Sequence, residues 1–336
     1  MTERDEPGRL MIAEIGEQPE VLARLLDHRD EIAAVRARLA QHEPRFVLFA
    51  ARGTSDHAAL YGKYLVEVDL AKPAGLVSPS TLTVYGSRPD LSGVLMIAVS
   101  QSGGSPDLVD SLTAARSCGA LTVAVTNAPS SPLATAAELH VDIHAGAERA
   151  VAATKSYTAQ LLALHLLLVG DDGTELLPER AAATLAGSAA VQLAGRYRFA
   201  ERLITTARGY SYPTAREAAL KLMETSYLSA QAFSAADLLH GPLAMIDSGV
   251  PVIAVVSPGR GGRAMTQALD RLSATGADIA RIGPADGVPV VSDDVPERLL
   301  PVLEILPLQQ LAWRLALDRG TDPDRPRGLR KVTSTW

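Results

Sequence analysis

Apolar residues come along this chain in short, nearly unbroken runs rather than in alternation. Residues 46–50 (FVLFA), 94–100 (VLMIAVS), 121–126 (LTVAVT) and 139–143 (LHVDI) predict strands buried on both faces, and 76–78 a short one stopped by Pro79. The stretches 58–66, 107–118 and 154–169 predict helices, with Pro106 placed to open the second. Strands alternating with helices of this length imply βαβ units and a parallel sheet covered on both faces. The pattern then restarts. Residues 202–206, 250–256 and 278–283 read as strands and 264–275 as a helix, and Ala207-Arg208-Gly209-Tyr210-Ser211 echoes Ala51-Arg52-Gly53-Thr54-Ser55. The chain thus predicts an α/β fold built by internal duplication, two sheets of one topology.

The expected organisation is a helical segment at 1–40, a first sheet domain at 41–170, a linker with a helix at 171–195, a second sheet domain at 196–320 and a tail at 321–336. Pro19 opens a helix in the first segment, whose amphipathic pattern suits a place on the outside or against a partner chain.

Composition narrows the function classes. A length of 336 residues with 47% hydrophobic content supports two cores, and aromatics at 4% leave Ala, Leu and Val to fill them. The formal charge of −6 and scattered cations provide no basic field for nucleic acid. Cys118, the single cysteine, permits no internal disulfide or cysteine metal cluster. No signal-peptide layout and no apolar run of membrane-spanning length is present, so the expected location is cytoplasmic. Only five lysines stand beside 27 arginines, and Lys155, Lys221 and Lys331 all fall in the stretches that carry chemistry.

The run 94–100 breaks into Ser100-Gln101-Ser102-Gly103-Gly104-Ser105 and then a helix. Hydroxyls, an amide, glycines and a helix N-terminus at the carboxyl end of a buried strand form a cradle for phosphate. The Ser/Thr loop at 51–57 belongs at the same rim, where ligands of parallel sheets sit. The corresponding second turn, SPGRGG from Ser257, lacks those hydroxyls, so only the first half is expected to hold phosphate.

Residues 212–227 predict a helix on which Glu217, Lys221 and Glu224 share one face. Its other positions are mostly apolar, which implies burial, and a carboxylate beside an ammonium in a dry site suits proton transfer at carbon. His240 precedes a turn in LLHGP. His140-x-Asp142-x-His144 would set three ligand types along one strand face, but without further candidates around them, and no metal is expected.

ARGTS, SQSGGSPD, AGAERAVAATK (from Ala145), YPTAREAALKLMETSY and LHGPLAMID, in this order, resemble the sugar isomerase (SIS) family over nearly the whole chain. The likeness is to the isomerase half of glutamine–fructose-6-phosphate aminotransferase and to stand-alone glucosamine-6-phosphate deaminases. It implies two tandem SIS domains, each a flavodoxin-like three-layer αβα sandwich, and no cofactor. By this resemblance Ser100, Gln101, Ser102, Ser105, Thr54 and Ser55 would hold a sugar 6-phosphate. Glu224 would move a proton between C1 and C2 through a cis-enediol or enolamine, with Lys221 supporting charge on the oxygen. His240 would open the ring from the neighbouring subunit of a homodimer, and Lys331 of the tail would meet the open-chain carbonyl. Gly53, Glu148, Val151 and Glu217 would line the sugar.

The implied reaction is conversion of glucosamine 6-phosphate to fructose 6-phosphate and ammonia. Two alternatives use the same motifs: a dehydratase or aldose–ketose isomerase acting on N-acetylglucosamine 6-phosphate or a related phosphosugar, and a non-catalytic phosphosugar sensor. Gly104 and Ser105 replace a glutamate and a threonine of the synthase turn. No stretch matches its glutaminase, so ammonia from glutamine is not expected.

Overall fold

A computed structural model of the chain describes residues 6–331 other than Pro284. It contains two five-stranded sheets in which every strand pairing is parallel. The first consists of β1 (Phe46–Ala50), β2 (Ala74–Leu76), β3 (Val94–Ser100), β4 (Leu121–Thr126) and β5 (Leu139–Asp142), in the order β2-β1-β3-β4-β5. The second consists of β6 (Arg202–Ala207), β7 (Ser229–Ser234), β8 (Val252–Val255), β9 (Ile279–Gly283) and β10 (Val288–Pro289), in the order β10-β9-β8-β6-β7. Numbered within their own halves, both orders are 2-1-3-4-5, so the duplication read from the sequence is a duplication of topology. In that order the direction of winding reverses between the first and third strands, and the loops leaving those two strands flank the resulting crevice.

The chain divides into two compact units, neither of them one continuous segment. One holds β1–β5 and comprises Glu20–Glu148, Lys155–Glu175 and, among the described residues, Arg330 and Lys331. The other holds β6–β10 and comprises the chain up to Pro19, Arg149–Thr154 and Leu176–Leu329.

In the β1–β5 unit, β3 is the best covered strand, with six of its seven residues buried. Met96 and Ala98 pack with Leu108, Leu112 and Ala115 of the helix Pro106–Ser117 and with Ala124 of β4. In the β6–β10 unit Ile204, Leu238, Val250, Val252 and Leu272 form the corresponding cluster. The buried members of both clusters are aliphatic, and the few aromatics are used elsewhere in the interior, where Phe49, Tyr61, Tyr157 and Tyr197 are fully buried. The 19-residue helix Leu300–Asp318 runs through the second unit almost wholly buried, although Pro307 lies inside it. Prolines at 301 and 307 interrupt the periodicity by which such a helix would be recognised.

Three helices, Arg9–Gly16, Gln18–Asp27 and Arg29–Ala40, precede β1. The third matches the expectation of an outer position, with only Ile32 and Leu39 buried. The first two depart from it, since Met11, Ile15, Val21, Leu22 and Leu25 are fully enclosed within this chain. The first is anchored at its N-terminus by the Asp324 carboxylate, which accepts the Leu10 and Met11 N–H groups at 2.8 and 2.7 Å. An anion at that end satisfies donors that have no partner within the helix. Apolar periodicity alone does not distinguish a face waiting for another chain from one covered by residues three hundred positions away. No described helix is long and apolar enough to cross a membrane.

Candidate active site

The turn after β3 is held by its own polar groups. Ser100 Oγ accepts the Gly103 N–H at 3.1 Å, and Ser102 Oγ accepts the Gly104 N–H at 3.3 Å. Gly103 has φ +62, and a Cβ there would stand 2.1 Å from Ser131 Oγ, so both backbone and space demand glycine. The Gly103 carbonyl accepts the Leu133 N–H at 3.0 Å, and the Gln101 carbonyl the Asn127 N–H at 3.1 Å. The turn is thereby fixed to the loop beyond β4. Ser105 is the N-cap of the 12-residue helix, but its hydroxyl makes no capping bond. Gln101, Ser102 and Ser105 are half-buried and Ser100 is buried. Hydroxyl donors with a helix N-terminus behind them can receive an anion without moving.

The loop after β1 adds a second helix start. Helix Thr54–Val68 begins four residues earlier than its apolar pattern suggests, so Thr54 and Ser55 occupy its first turn. Gly53, its N-cap, has φ 54 and ψ −131, a combination for which glycine alone is suited. Ser55 is buried and its Oγ accepts from Gln160 Nε2 at 3.0 Å. The sequence reading missed a pair here. Arg52 donates from Nε to Asp107 Oδ2 at 2.8 Å, joining the loop after β1 to the helix after β3. Asp107 is buried and its Oδ1 has no hydrogen-bond partner, so Arg52 is the cation that compensates an otherwise bare carboxylate beside the turn. Arg52 was visible in ARGTS, but its partner stands 55 residues away.

In the same unit the structure unites two predicted residues. Lys331 Nζ donates to Glu148 Oε2 at 2.8 Å. Ser156 donates to that carboxylate twice, from its N–H at 3.0 Å and its hydroxyl at 2.7 Å. Burial raises the Glu148 pKa, but the Lys331 ammonium and the Ser156 donors outweigh it and hold the group below the usual carboxylate range. The tail lysine and the predicted sugar-lining glutamate thus form one charged pair.

The helix Tyr212–Ser226 of the other unit carries the predicted Glu217, Lys221 and Glu224. Lys221 Nζ lies 3.3 Å from Glu217 Oε1 and 2.5 Å from Glu224 Oε2. Glu217 and Lys221 are enclosed, whereas the Glu224 side chain keeps 21% of its surface exposed. Burial alone would lower the Lys221 pKa, but the two carboxylates overcompensate and raise it, so the ammonium is permanent. Glu224 is the member of the cluster at the opening. Such a group can accept a proton from carbon while the fixed cation stabilises charge on an adjacent oxygen.

Two further predicted residues are placed less tightly. His240 is exposed, capping the helix Ala235–Leu239 at its C-terminus. Val151 is half-buried, and its N–H donates to the Asp324 carbonyl at 3.3 Å.

The second sheet's turn is built differently. Glu297 accepts the Arg260 N–H at 2.8 Å and the Gly261 N–H at 2.6 Å. Ser257 and Ser211 meet hydroxyl to hydroxyl at 3.1 Å, and Ser211 donates to Glu304 at 3.0 Å. Burial pushes the Glu304 carboxyl up to about 8, against the lowering effect of the Ser211 and Thr214 hydroxyls. The sequence foresaw the missing hydroxyls here; the structure adds that the protein's own carboxylate takes up the N–H groups.

These features define the class: a tandem parallel α/β protein with one anion-receptive strand–turn–helix rim, and a helix bearing a buried Glu-Lys-Glu cluster. Residues 42–170 and 197–295 match the SIS domain family, and the chain belongs to that family. It is 35% identical to the glutamine–fructose-6-phosphate aminotransferase (isomerizing) of Thermococcus kodakarensis, over 98% of this chain and 59% of that protein. The same enzyme of Gloeobacter violaceus is 36% identical over 96% and 58%. The chain spans a little under three-fifths of the curated relatives it matches. Among solved structures, a candidate phosphosugar isomerase from Silicibacter pomeroyi DSS-3 shares 36% identity with a TM-score of 0.83, covering 93% of this chain and 99% of that one. The C-terminal domain of the Francisella tularensis glucosamine-fructose-6-phosphate aminotransferase shares 25% identity at 0.81, covering 97% and 100%. The glucosamine-6-phosphate deaminase of Thermotoga maritima, at 20% identity, 0.78 and coverage of 97% and 99%, has the same fold.

Proposed function

We propose that this chain acts as a cytoplasmic amino-sugar phosphate isomerase and deaminase, converting glucosamine 6-phosphate to fructose 6-phosphate and ammonia. The observation that carries this reading is the buried Glu217–Lys221–Glu224 cluster with one carboxylate at its opening. Burying Glu217 and Lys221 costs desolvation energy that their pairing only partly returns, a cost that a role in a reaction would explain. The names of the relatives, an isomerizing aminotransferase above all, support the same chemistry.

In this reading the phosphate is bound by Ser100, Gln101, Ser102 and Ser105 with Thr54 and Ser55, and Gly53 allows close approach of the sugar. Val151 and Glu217 line the sugar beside it. His240, supplied by the second subunit of a homodimer, opens the ring. Lys331, held by Glu148, meets the freed C1 carbonyl. Glu224 takes the proton from C2 and returns it to C1, so that the enolamine becomes a ketose imine. Water then adds at C2 and ammonia departs. Lys221 stays protonated throughout, as its two carboxylates require, and acts as a fixed positive charge.

Incubation with glucosamine 6-phosphate, assaying ammonia and ketose together, tests the proposal. Equal yields of both support it. Neither product from glucosamine 6-phosphate, with turnover of only the N-acetylated or a nitrogen-free sugar phosphate, replaces deamination by dehydration or aldose–ketose isomerisation. Mixing the Glu224→Gln and His240→Ala proteins tests the shared site: recovery of activity in the mixed dimers supports it, and its absence removes His240 from that role.

A further inference from the structure

The histidine motif of the fourth and fifth strands does not assemble as its sequence spacing suggests. His140 turns to Thr126, with Nε2 at 2.9 Å from the hydroxyl, while His144 joins two residues of another element. His28, the N-cap of the helix Arg29–Ala40, and Glu31, in its first turn, are three positions apart and so share a face. His28, Glu31 and His144 each offer one ligand atom, and these atoms all lie within 4.8 Å of one another. All three residues belong to the β1–β5 unit.

We propose that His28, Glu31 and His144 form a binding site for a divalent transition metal of the zinc type, which ties the helix Arg29–Ala40 to the loop after β5. Three independent details support this. First, His28 Nδ1 lies 2.8 Å from the Arg24 carbonyl, which fixes the proton on Nδ1 and leaves the Nε2 lone pair for a metal. Second, His144 Nε2 and Glu31 Oε2 face each other at 3.3 Å. Without metal the Nε2 proton closes this pair, and the separation is about that of neighbouring ligands around tetrahedral zinc, given bonds of ~2.0–2.1 Å, so a metal ion can take the proton's place. On the other side of the ring, Asp142 Oδ2 stands 3.9 Å from His144 Nδ1, beyond hydrogen-bond distance but close enough to favour positive charge at the ring. Third, the loop holds His144 in a conformation that costs energy. His144 has φ +48, and its N–H donates to Asp142 Oδ1 at 2.9 Å. Asn127 clamps the following residues, accepting the Ala145 N–H at 2.9 Å and donating to the Gly146 carbonyl at 2.7 Å.

The two imidazole rings stack, with centroids 4.1 Å apart and planes 24° from parallel. Binding requires them to splay by a rotamer adjustment at half-buried positions. Two imidazoles and one carboxylate suit zinc over magnesium or calcium, and leave one coordination position open.

The test uses the full chain, freed of any affinity tag and dialysed against chelator, titrated with zinc chloride by calorimetry and with cobalt(II) by visible absorption. The expected result is one saturable equivalent per chain, with tetrahedral cobalt bands, and a melting temperature that rises with zinc. His144→Ala, His28→Ala and the surface variant Glu31→Gln should each weaken binding by about tenfold or more and abolish the thermal shift. His42→Ala, at an exposed histidine in the turn that follows the same helix, should leave both unchanged. No saturable equivalent, or affinity retained in all three variants, overturns the proposal.

Discussion

The turns after β3 and β8 hold equivalent places in two sheets of one topology, yet they treat negative charge in opposite ways. The first keeps Gln101, Ser102 and Ser105 half-buried at a helix start, with Arg52 paired to the Asp107 carboxylate. The second gives its Arg260 and Gly261 N–H groups to Glu297. Behind each turn a buried side chain of a long helix reaches a serine of the neighbouring loop: Gln160 to Ser55 in one half, Glu304 to Ser211 in the other. Gln160 and the protonated Glu304 are both neutral, so the difference lies in Glu297, whose carboxylate occupies the N–H groups of the second turn while those of the first stay free of any acidic side chain. Duplication supplied two crevices, and side-chain charge decided which stayed open.

The sharpest way to break this comparison is to remove hydroxyls from both turns. Ser102→Ala combined with Ser105→Ala should raise KM for a sugar 6-phosphate by about 10²-fold, since each bond to a charged group contributes roughly 1.5–3 kcal/mol. Ser257→Ala in the second half should leave KM unchanged. Equal effects in steady-state kinetics would show that the halves do not divide the work in this way. Glu224→Gln should lower kcat by about 10²–10⁴-fold while leaving phosphate-dependent binding intact, the signature of a lost base.

Gly103→Ala probes the backbone of the first turn. Its positive φ and its collision with Ser131 should cost about 1–3 kcal/mol of stability and weaken phosphate binding as well. Glu297→Ala is the counterpart in the second turn. Leaving two N–H groups without their carboxylate should cost about 1–3 kcal/mol in denaturant unfolding, with no change in KM.

The last test is a pH dependence. The Glu304 pKa is about 8, above its ordinary value of 4.5, so the folded protein keeps a proton that the unfolded chain releases. Its contribution to stability is therefore complete below pH 4.5 and is lost as pH rises towards about 8. Glu304→Gln should flatten this decline, melting a few degrees above the parent protein at pH 8 and close to it at pH 4.5. Parallel melting curves across that range would remove Glu304 from this role.

Legibility in the sequence followed burial. β1, β3 and β4 end where their apolar runs end, because a strand covered on both faces has no polar position to confuse its limits. β7, with Ser229 and Gln231 exposed, and the two-residue β10 carry no such run and were missed. Helix Thr54–Val68 begins in polar residues, so its apolar pattern hid the turn that places Thr54 and Ser55. The Glu217–Lys221–Glu224 cluster was readable because helical spacing is local. The Arg52–Asp107 and Glu148–Lys331 pairs were not, since nothing local connects their members.

By itself the sequence determined the periodicity, and with it the strands, the repeated αβ pattern, the hydroxyl-rich turn and the charged face of one helix. These depend on interactions within a few residues, which the order of side chains specifies directly. Only tertiary structure decided that Glu297 fills the second turn, that Asp107 engages Arg52 and that His144 leaves His140 for His28 and Glu31. Charges distant along the chain find one another only when the strands have taken their order, because the energy of a buried charge depends on what the fold brings beside it.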